Sequence, residues 1–314
     1  IVCNYHMTQD YLPDGMLIDM SPSYHVFEAW IGRDAMALGS ISAEAREMLG
    51  KAFRICREFR QPDGCSIVLN DGYSLDMRGF LESTGESAIP EGSFVLPHSG
   101  MAFHHSTEIF AALDATPCCE KYSHHHGGKN GLTLWFAGYP FLVDSGCCSY
   151  DDADFWNWYK LPCAHSTLLV NGKGDSELRG RYEWVKTQDY RMNKAWTNHS
   201  IECASPAWRR RLTVADPNEV MISDHVQLQE SASLEFLFIL HPAVEVSIED
   251  DRIVLTNDKT QVVLRWEADA PVSWELSAGK CFIADRTVAS QRLHLCAAAA
   301  SFSLRTAWHL ENRV

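Results

Sequence analysis

Short apolar segments separated by turn residues are the feature that most restricts how this chain can fold. From about residue 92 onward they follow one another without a helical pattern between them. For example, an Asp-Pro-Asn turn at 216–218 separates the segment 209–214 from the segment 220–227. Parallel strands need crossover connections of about a dozen residues or more, so this pattern indicates antiparallel strands. We therefore predict a multi-stranded antiparallel β-sandwich over residues 91–314. The other predicted strands are 132–137, 141–144, 167–170, 234–240, 244–248, 253–256, 262–266, 292–296 and 302–308.

Residues 1–90 show a different periodicity, that of helices. Apolar residues at helical spacing predict one helix over 22–38, with Ser21 as its N-cap. A second helix is predicted over 42–59, capped by Ser42. Two helices cannot enclose a core by themselves, so residues 1–90 are predicted to be the C-terminal helices of an incomplete, larger helical domain. The predicted fold class is therefore α+β. The apolar residues predicted to form the buried face of the first helix are Phe27, Trp30, Ile31, Ala35 and Leu38.

The charge of the chain bears on its partners. Asp and Glu together number 41 and Lys and Arg 27, which gives a formal net charge of −14. A protein that binds nucleic acid needs a large basic surface, so that class is disfavoured. The longest apolar runs, such as 236–240, are much shorter than the roughly 20 residues of a membrane helix. We expect neither a nucleic acid nor a membrane as partner, and a homo-oligomer stays one alternative for the assembly.

The cysteines indicate a reducing environment. Eleven are present, two pairs are adjacent (Cys118–Cys119 and Cys147–Cys148), and none is spaced as CxxC. Neighbouring cysteines rarely bridge each other, and an odd number cannot all pair, so we interpret them as reduced thiols. This interpretation favours a cytoplasmic location. Because the sequence begins with Ile1, a removed signal peptide stays an alternative.

Histidines cluster at one place, His124-His125-His126. On the entry to a strand, alternate residues share a face, so we expect His124 and His126 to point the same way. Asp144 and His165 follow at the ends of predicted strands. Two histidines and one carboxylate are a common zinc ligand set. The residues alone predict either a metal site or ordinary surface and core histidines.

Several short motifs follow one another in a fixed order around these histidines. The longest is HHHGGKNGLTLWFAGYPFLVDSG at 124–146, followed by SYD at 149–151, WY at 158–159 and AHST at 164–167. Upstream, SPSYH occupies 21–25. In sequence, order and spacing, these motifs resemble those of the heparinase II/III-like polysaccharide lyases, and the resemblance extends over residues 10–230.

The resemblance implies both a fold and an activity. The fold would be the end of an α/α toroid followed by the β-sandwich. The activity would be cleavage of a uronic-acid glycan by β-elimination, with acid–base catalysis by Tyr24, His124 and Tyr150. Tyr159 is an alternative to Tyr150 as the second catalytic tyrosine. His124 would act either as the base or as the group that neutralises the uronate carboxylate.

The resemblance also implies a Zn²⁺ ion with a mainly structural role. Its ligands would be His126, Asp144 and His165. Three positions depart from the family pattern. Gly128 replaces an Asp, Ser166 replaces an Asn, and Lys160-Leu161-Pro162 replaces a segment with Arg and Ser or Thr. The activity of this chain by itself is therefore left open.

Aromatic residues beside the motif block are candidates for binding the glycan. Trp156, Trp158 and Tyr159 could stack on sugar rings, or they could form ordinary packing at the edge of the sandwich. The basic run Arg209–Arg211 should place its outer two residues on one face of a strand. Those two residues would either bind a carboxylate or sulfate or form surface ion pairs.

Two other function classes stay open beside the lyase. One is a carbohydrate-binding module without catalysis, and the other is a zinc-dependent hydrolase in which the metal activates water. The presence of Tyr24, His124 and Tyr150 favours the lyase over the binding module. Gly128 removes the nearby carboxylate that a hydrolase would use as base. The negative charge of the chain favours a short or lightly charged uronate oligosaccharide over a highly sulfated polymer.

Overall fold

Helices occupy the first part of the chain. The computed structural model describes residues 2–39, 41–117, 124–186, 189–249 and 252–313, so the pair Cys118–Cys119 lies outside the described residues. The four helices are α1 (Val2–Gln9), α2 (Pro22–Ala37), α3 (Ala43–Glu58) and α4 (Arg78–Thr84).

The two predicted caps differ. Ser42 caps α3 as predicted, and its hydroxyl accepts a hydrogen bond from the Ala45 amide at 3.2 Å. Ser21 precedes α2 in an extended conformation but forms no side-chain cap. Its hydroxyl lies 3.2 Å from that of Ser23 instead.

The prediction of which face of α2 is buried is wrong. Phe27, Trp30 and Ile31 are 42%, 45% and 56% exposed. The face that packs against α3 carries small or polar side chains, among them Ala29 and Gly32. A Cβ at Gly32 would lie 2.3 Å from the Leu49 side chain, so the absence of a side chain lets the two helices approach closely. The large apolar face of α2 therefore stays largely exposed, although Phe27 lies beside the Tyr73 ring and Trp30 beside the Phe80 ring.

Seventeen strands follow α4 in the described parts of the chain. Fifteen form one antiparallel sheet, and β7 and β8 form a separate hairpin. The strands are β1 (Gly92–Leu96), β2 (Met101–His105), β3 (Ile109–Asp114), β4 (Gly131–Phe136), β5 (Tyr139–Leu142), β6 (Leu168–Val170), β7 (Glu177–Arg179), β8 (Glu183–Lys186), β9 (Arg191–Met192), β10 (Ser200–Ala204), β11 (Trp208–Asp216), β12 (Glu219–Leu240), β13 (Glu245–Glu249), β14 (Arg252–Asn257), β15 (Thr260–Ala268), β16 (Ser273–Ile283) and β17 (Arg286–Arg313).

Two long strands tie the sheet together. The predicted segments 220–227 and 234–240 are one strand, β12, and 292–296 and 302–308 are one strand, β17. The polar residues between the segments of β12 do not end it. They form an irregularity in its register with β17 between Gln227 and Ala232. The prediction missed β16, which pairs with β17 along its whole length but carries few buried apolar residues.

The sheet folds over itself and encloses the main core. Residues from β3 and β4 pack in the same buried cluster as residues from β12, β15 and β17. The described α-helices lie before residue 85 and the strands after residue 91, while the division into domains at residue 90 stays a prediction. Among the described helices, none is both long and apolar enough to cross a membrane.

Candidate active site

The His-rich segment is a loop held against the Asn70–Asp71 turn. The prediction that it enters a strand is wrong, because β4 begins only at Gly131. The Asp71 amide donates to the carbonyl of His124 at 3.1 Å, and the Asn70 side-chain oxygen accepts from the amide of His126 at 3.0 Å. These two bonds, rather than strand pairing, orient the two histidines toward one point.

That point is the carboxylate of Asp71, which is 1% exposed. It lies 3.0 Å from Nδ1 of His124 and 2.6 Å from Nε2 of His126. The buried ammonium of Lys160 lies 3.8 Å away. Burial alone would raise the pKa of Asp71, but the hydrogen bonds from the two histidines outweigh it and lower the pKa. Since an ionised carboxylate only accepts hydrogen bonds, the two ring nitrogens that face it carry protons.

Two tyrosines complete the group that we call the Asp71 cluster: Asp71, His124, Tyr24 and Tyr150. The hydroxyls of Tyr24 and Tyr150 are 2.8 Å apart. The Tyr150 hydroxyl also lies 3.3 Å from Asp71 and 3.4 Å from Nδ1 of His124. The ring of Tyr24 packs on that of His124 with centroids 4.3 Å apart. Burial, the charge of Asp71 and the bond to Tyr24 all raise the pKa of Tyr150, so its phenol keeps its proton.

The structure brings Tyr24, His124 and Tyr150 together and places Tyr159 elsewhere. Tyr159 is fully buried, and its hydroxyl lies 3.0 Å from that of Thr287. Its carbonyl accepts from Nε2 of His165 at 2.9 Å. The geometry therefore favours Tyr150 over Tyr159 as the second tyrosine of the site.

The predicted metal ligands form a second group, the Asp144 cluster: His126, Asp144 and His165. One donor atom from each lies within 4.8 Å of the others. The Asp144 carboxylate is 2.6 Å from Nδ1 of His165. Burial lowers the pKa of His126 to about 4, so its ring is neutral near pH 7, as a metal ligand must be. Two imidazoles and a carboxylate fit Zn²⁺.

Asp71, His126 and Cys147 form a rival set of donors within the same distance of one another. This set is less suited to a dication. Burial raises the pKa of the Cys147 thiol, and the charge of Asp71 raises it further. The buried Lys160 ammonium beside Asp71 would also repel a metal ion.

Close packing explains why glycine stands at position 128. A Cβ there would lie 2.4 Å from Cγ of His165 and 2.5 Å from its Cβ. No real Cβ approaches carbon so closely, so an Asp at this position would displace His165. The glycine lets the loop pass directly against a predicted metal ligand.

Arg210 connects the loops of the site from beneath. It is fully buried, and its guanidinium binds the Asp224 carboxylate at 2.8 and 3.1 Å. It also donates to the carbonyls of Asn130 and Ser166 at 2.8 and 3.0 Å. The predicted alternation along this strand is confirmed, because Arg211 points to the opposite, exposed face and pairs with Glu202.

The predicted aromatic residues lie on a short π-helical turn, Phe155–Tyr159. The indole of Trp158 donates to the carbonyl of Lys280 at 3.1 Å and is partly buried. The face of Trp156 is covered by the guanidinium of Arg181, whose central carbon lies 3.9 Å from the ring centroid. Neither indole is a bare platform for a sugar ring.

Two charged residues at the centre of the site escaped the prediction, Asp71 and Lys160. The sequence Asn70-Asp71-Gly72 indicates a turn but not what the turn approaches. Lys160 stood out only as a departure from the family pattern. Asp71 contacts His124, 53 positions away, and Lys160 still farther along the chain, and no local pattern reports such a contact.

Comparison with known proteins identifies the family of the chain. The profile described as heparinase II/III-like, C-terminal, matches residues 88–309, well over half of the chain. The chain belongs to the heparinase II/III-like family. No curated protein matches the chain.

Solved structures of heparinase III are similar in fold. One heparinase III superposes with a TM-score of 0.85 at 15% identity, over 99% of this chain and 55% of its own. A second gives a TM-score of 0.84 at 15% identity, over 100% of this chain and 57% of its own. The heparan sulfate lyase HepC from Pedobacter heparinus gives 0.83 at 16% identity, over 100% and 55%. This member of the heparinase II/III-like family thus spans just over half the length of these relatives.

Proposed function

We propose that the chain is the C-terminal portion of a polysaccharide lyase that cleaves a uronic-acid glycan by β-elimination. The observation that carries the proposal is the Asp71 cluster, in which Tyr24 of α2 meets His124 and Tyr150 of the sheet part. Its side chains are two phenols and an imidazole, which can all give or take a proton. Family membership and the fold similarity to heparinase III support the same reaction class.

We further propose that α1 to α4 are the end of an α/α toroid. The similarity to heparinase III covers 99% of this chain, helices included, and 55% of that relative. The uncovered face of α2, with Phe27, Trp30 and Ile31, would then pack against further helices of the whole protein. The cleft for the glycan would lie between the helices and the sheet.

β-Elimination requires one proton to leave and one to arrive. A base removes the proton on C5 of the uronate, the C4–O bond breaks, and its electron pair leaves with the glycosidic oxygen, which an acid protonates. The remaining electrons form the C4–C5 double bond. Removing a general acid or base typically costs about 10²–10⁴-fold in rate. The three residues proposed to share these steps are Tyr24, His124 and Tyr150.

Asp71 determines how His124 can take part. Because Asp71 binds the proton on Nδ1, the opposite nitrogen, Nε2, is the one that can accept a substrate proton or carry a charge. The bond between the hydroxyls of Tyr24 and Tyr150 gives a direct path for a proton between the phenols. Since the pKa of Tyr150 is raised, this residue is suited to donate to the leaving oxygen and not to ionise first.

A bound Zn²⁺ would supply positive charge and rigidity at the Asp144 cluster. His126 links the two clusters, because its ring contacts Asp71 and its donor atom lies near those of Asp144 and His165. Holding His126 in place also holds His124, two residues away in the same loop. This is a supporting role, as in other sites where a rigid frame positions reacting groups.

The hydrolase alternative has less support in the structure. It needs a carboxylate base beside the metal ligands. Asp71 lies next to His126, but it accepts hydrogen bonds from two histidines that lower its pKa, which makes it a weak base. Gly128, where the family has another carboxylate, leaves no room for one beside His165. The binding-module alternative does not explain why two phenols and a histidine share hydrogen bonds around a buried carboxylate.

The whole protein that contains this chain should be assayed on a panel of uronate polymers and oligosaccharides. Elimination creates an unsaturated uronate that absorbs ultraviolet light, whereas the products of hydrolysis contain no such double bond and do not absorb in this way. We expect the absorbance to rise with the native protein and to be lost in Tyr24→Phe and His124→Ala. Tyr139→Phe is a matched control, because that exposed hydroxyl binds Asp258 outside the site. Release of reducing ends without absorbance from folded, zinc-loaded protein would exclude the lyase.

A further inference from the structure

The β7–β8 hairpin carries an arginine that the mechanism above does not use. Arg181 stands at its tip, between the two strands, and is exposed. The hairpin is tied to the site by Trp184, which is fully buried and whose indole donates to the carbonyl of His125 at 3.1 Å. The tip is tied as well, since the ring of Tyr182 lies 5.8 Å from that of Phe155, which contacts Tyr150. Arg181 is therefore placed at the margin of the Asp71 cluster.

The guanidinium of Arg181 lies over an aromatic ring. It stacks on Trp156 at 3.9 Å, and within the described residues no carboxylate or carbonyl binds it. Stacking on an indole fixes the plane of a guanidinium while leaving its N–H groups available at the edge. An arginine held in this way is prepared to bind a planar anion with two parallel hydrogen bonds.

Neighbouring cations differ from Arg181 because each has a partner. Lys280 binds the Asp154 carboxylate, and Arg292 donates to the carbonyls of Ala278 and Cys163. Arg179, on the same hairpin, lies 3.5 Å from Glu183. Among these four cations of the described residues, only Arg181 has no hydrogen-bond or ion-pair partner.

We propose that Arg181, supported by Trp156, is a subsite for an anionic group on a sugar next to the one that is cleaved. The ligand is a carboxylate or sulfate of a uronate oligosaccharide, so this inference rests on the proposed substrate class. The need for such a group follows from the charge of the chain, −14, and from the carboxylates of the site. A local cation offsets their repulsion of a negatively charged glycan. Trp156 would then contribute to glycan binding by positioning Arg181 and not by stacking on a sugar ring.

Equilibrium binding tests the subsite apart from catalysis. Calorimetric titrations would use the whole protein in a Tyr24→Phe background, which prevents turnover. The ligands would be an unsulfated uronate tetrasaccharide, its sulfated counterpart and its carboxyl-reduced, neutral analogue. The variants would be Arg181→Gln, which removes the charge, and Arg181→Lys, which keeps the charge without the planar fork.

We expect Arg181→Gln to weaken binding of an anionic ligand by about tenfold, as for loss of a charged hydrogen bond at a partly exposed site. Binding of the neutral analogue should change by less than about twofold, and Arg181→Lys should be intermediate. The matched control, Arg179→Gln, removes the same charge from the same hairpin and should change binding by less than about twofold.

The pattern across ligands identifies the anion. A loss already seen with the unsulfated ligand assigns the subsite to a carboxylate, and a loss seen only with the sulfated ligand assigns it to a sulfate. Equal losses for anionic and neutral ligands, equal losses for Arg181→Gln and Arg179→Gln, or no loss at all would overturn the subsite.

The two proposals can fail separately. Binding that depends on Arg181, in a protein that forms no unsaturated product, would keep the subsite and reject the lyase. Product formed by a protein whose Arg181→Gln variant binds like the native one would keep the lyase and reject the subsite.

Discussion

The Asp71 cluster and the Asp144 cluster are built around carboxylates that differ in what surrounds them. Asp71 is enclosed by proton-bearing groups, which are two imidazole nitrogens, a phenol and the ammonium of Lys160. Asp144 has one imidazole and the amide of Gly146 as partners, and it lies among the donor atoms of the predicted metal ligands. In the proposed function, the same side chain would thus serve proton transfer in one place and metal binding in the other.

The proposed roles of the two aspartates therefore follow from the groups around each carboxylate and not from the residue type. Around Asp71 a dication would meet the Lys160 ammonium, whereas the donor atoms around Asp144 are imidazole nitrogens. His126 belongs to the Asp144 cluster and its ring also contacts Asp71, so a substitution in one cluster can be followed by its effect on the other.

The largest effect should come from replacing Asp71. Asp71→Asn removes the charge that holds the Nδ1 proton of His124, and the wrong tautomer of a catalytic histidine costs roughly 10³–10⁴-fold in turnover. We expect kcat to fall by about that factor while KM changes little, measured by product absorbance with the whole protein. Asp63→Asn, in an exposed turn, is the control. Turnover within about tenfold of the native rate would contradict the assigned role.

Replacing Asp144 should act on the metal instead. Asp144→Asn removes a proposed zinc ligand. We expect it to lower zinc affinity by at least about a hundredfold, because replacing a residue that only hydrogen-bonds to a ligand already costs about 10–100-fold. Zinc content after dialysis, measured by mass spectrometry, reports this directly. The Asp71→Asn variant should retain its zinc. The opposite result, zinc lost with Asp71 and kept without Asp144, would place the ion at Asp71, His126 and Cys147.

Crowding the space between the clusters should destabilise the fold. Gly128→Ala forces a methyl group against the His165 ring, and overpacking of this kind costs about 1–3 kcal/mol. Urea unfolding would show this as a lower midpoint. Gly79→Ala in α4 is the matched control, because a Cβ there meets no atom within 4 Å. That variant should be neutral or more stable by up to about 1 kcal/mol.

A smaller effect is expected on the pH dependence of folding stability, through the protonation of His126. Its pKa is lowered by burial to about 4 in the folded chain, so between pH 6.5 and 4 the unfolded chain binds the extra proton. Stability of the zinc-free protein should therefore fall as the pH is lowered through this window, by at most about 1.4 kcal/mol per pH unit. The difference between the native protein and His126→Asn in urea isolates this contribution. An unchanged difference across the window would mean that His126 is not buried neutral.

Local patterns were sufficient for much of the fold, and apolar spacing located α3 with its cap. The motifs that carry the family resemblance named six residues, which the structure gathers into two clusters, while their roles stay predictions. These features have one thing in common. Each is visible in the order of side chains along a short stretch of the sequence.

The failures share a cause too. The large apolar side of α2 faces away from α3 because a glycine and small residues permit a closer contact, and no hydrophobic pattern shows that choice. The segment at 124 is a loop because Asn70 and Asp71 satisfy its backbone groups from more than fifty positions away. Hydrogen bonds to the backbone leave no trace in the sequence of the segment that receives them.

Arg210 has a consequence for how freely this site can change. Its contacts on the two loops are main-chain carbonyls, at Asn130 and Ser166, and not side chains. Substituting either residue therefore leaves both acceptors in place. Side chains on these loops can therefore change during evolution, as at Ser166 where the family has Asn. The hydrogen bonds from Arg210 that hold the loops would be kept. Substituting Arg210 itself would release both loops together.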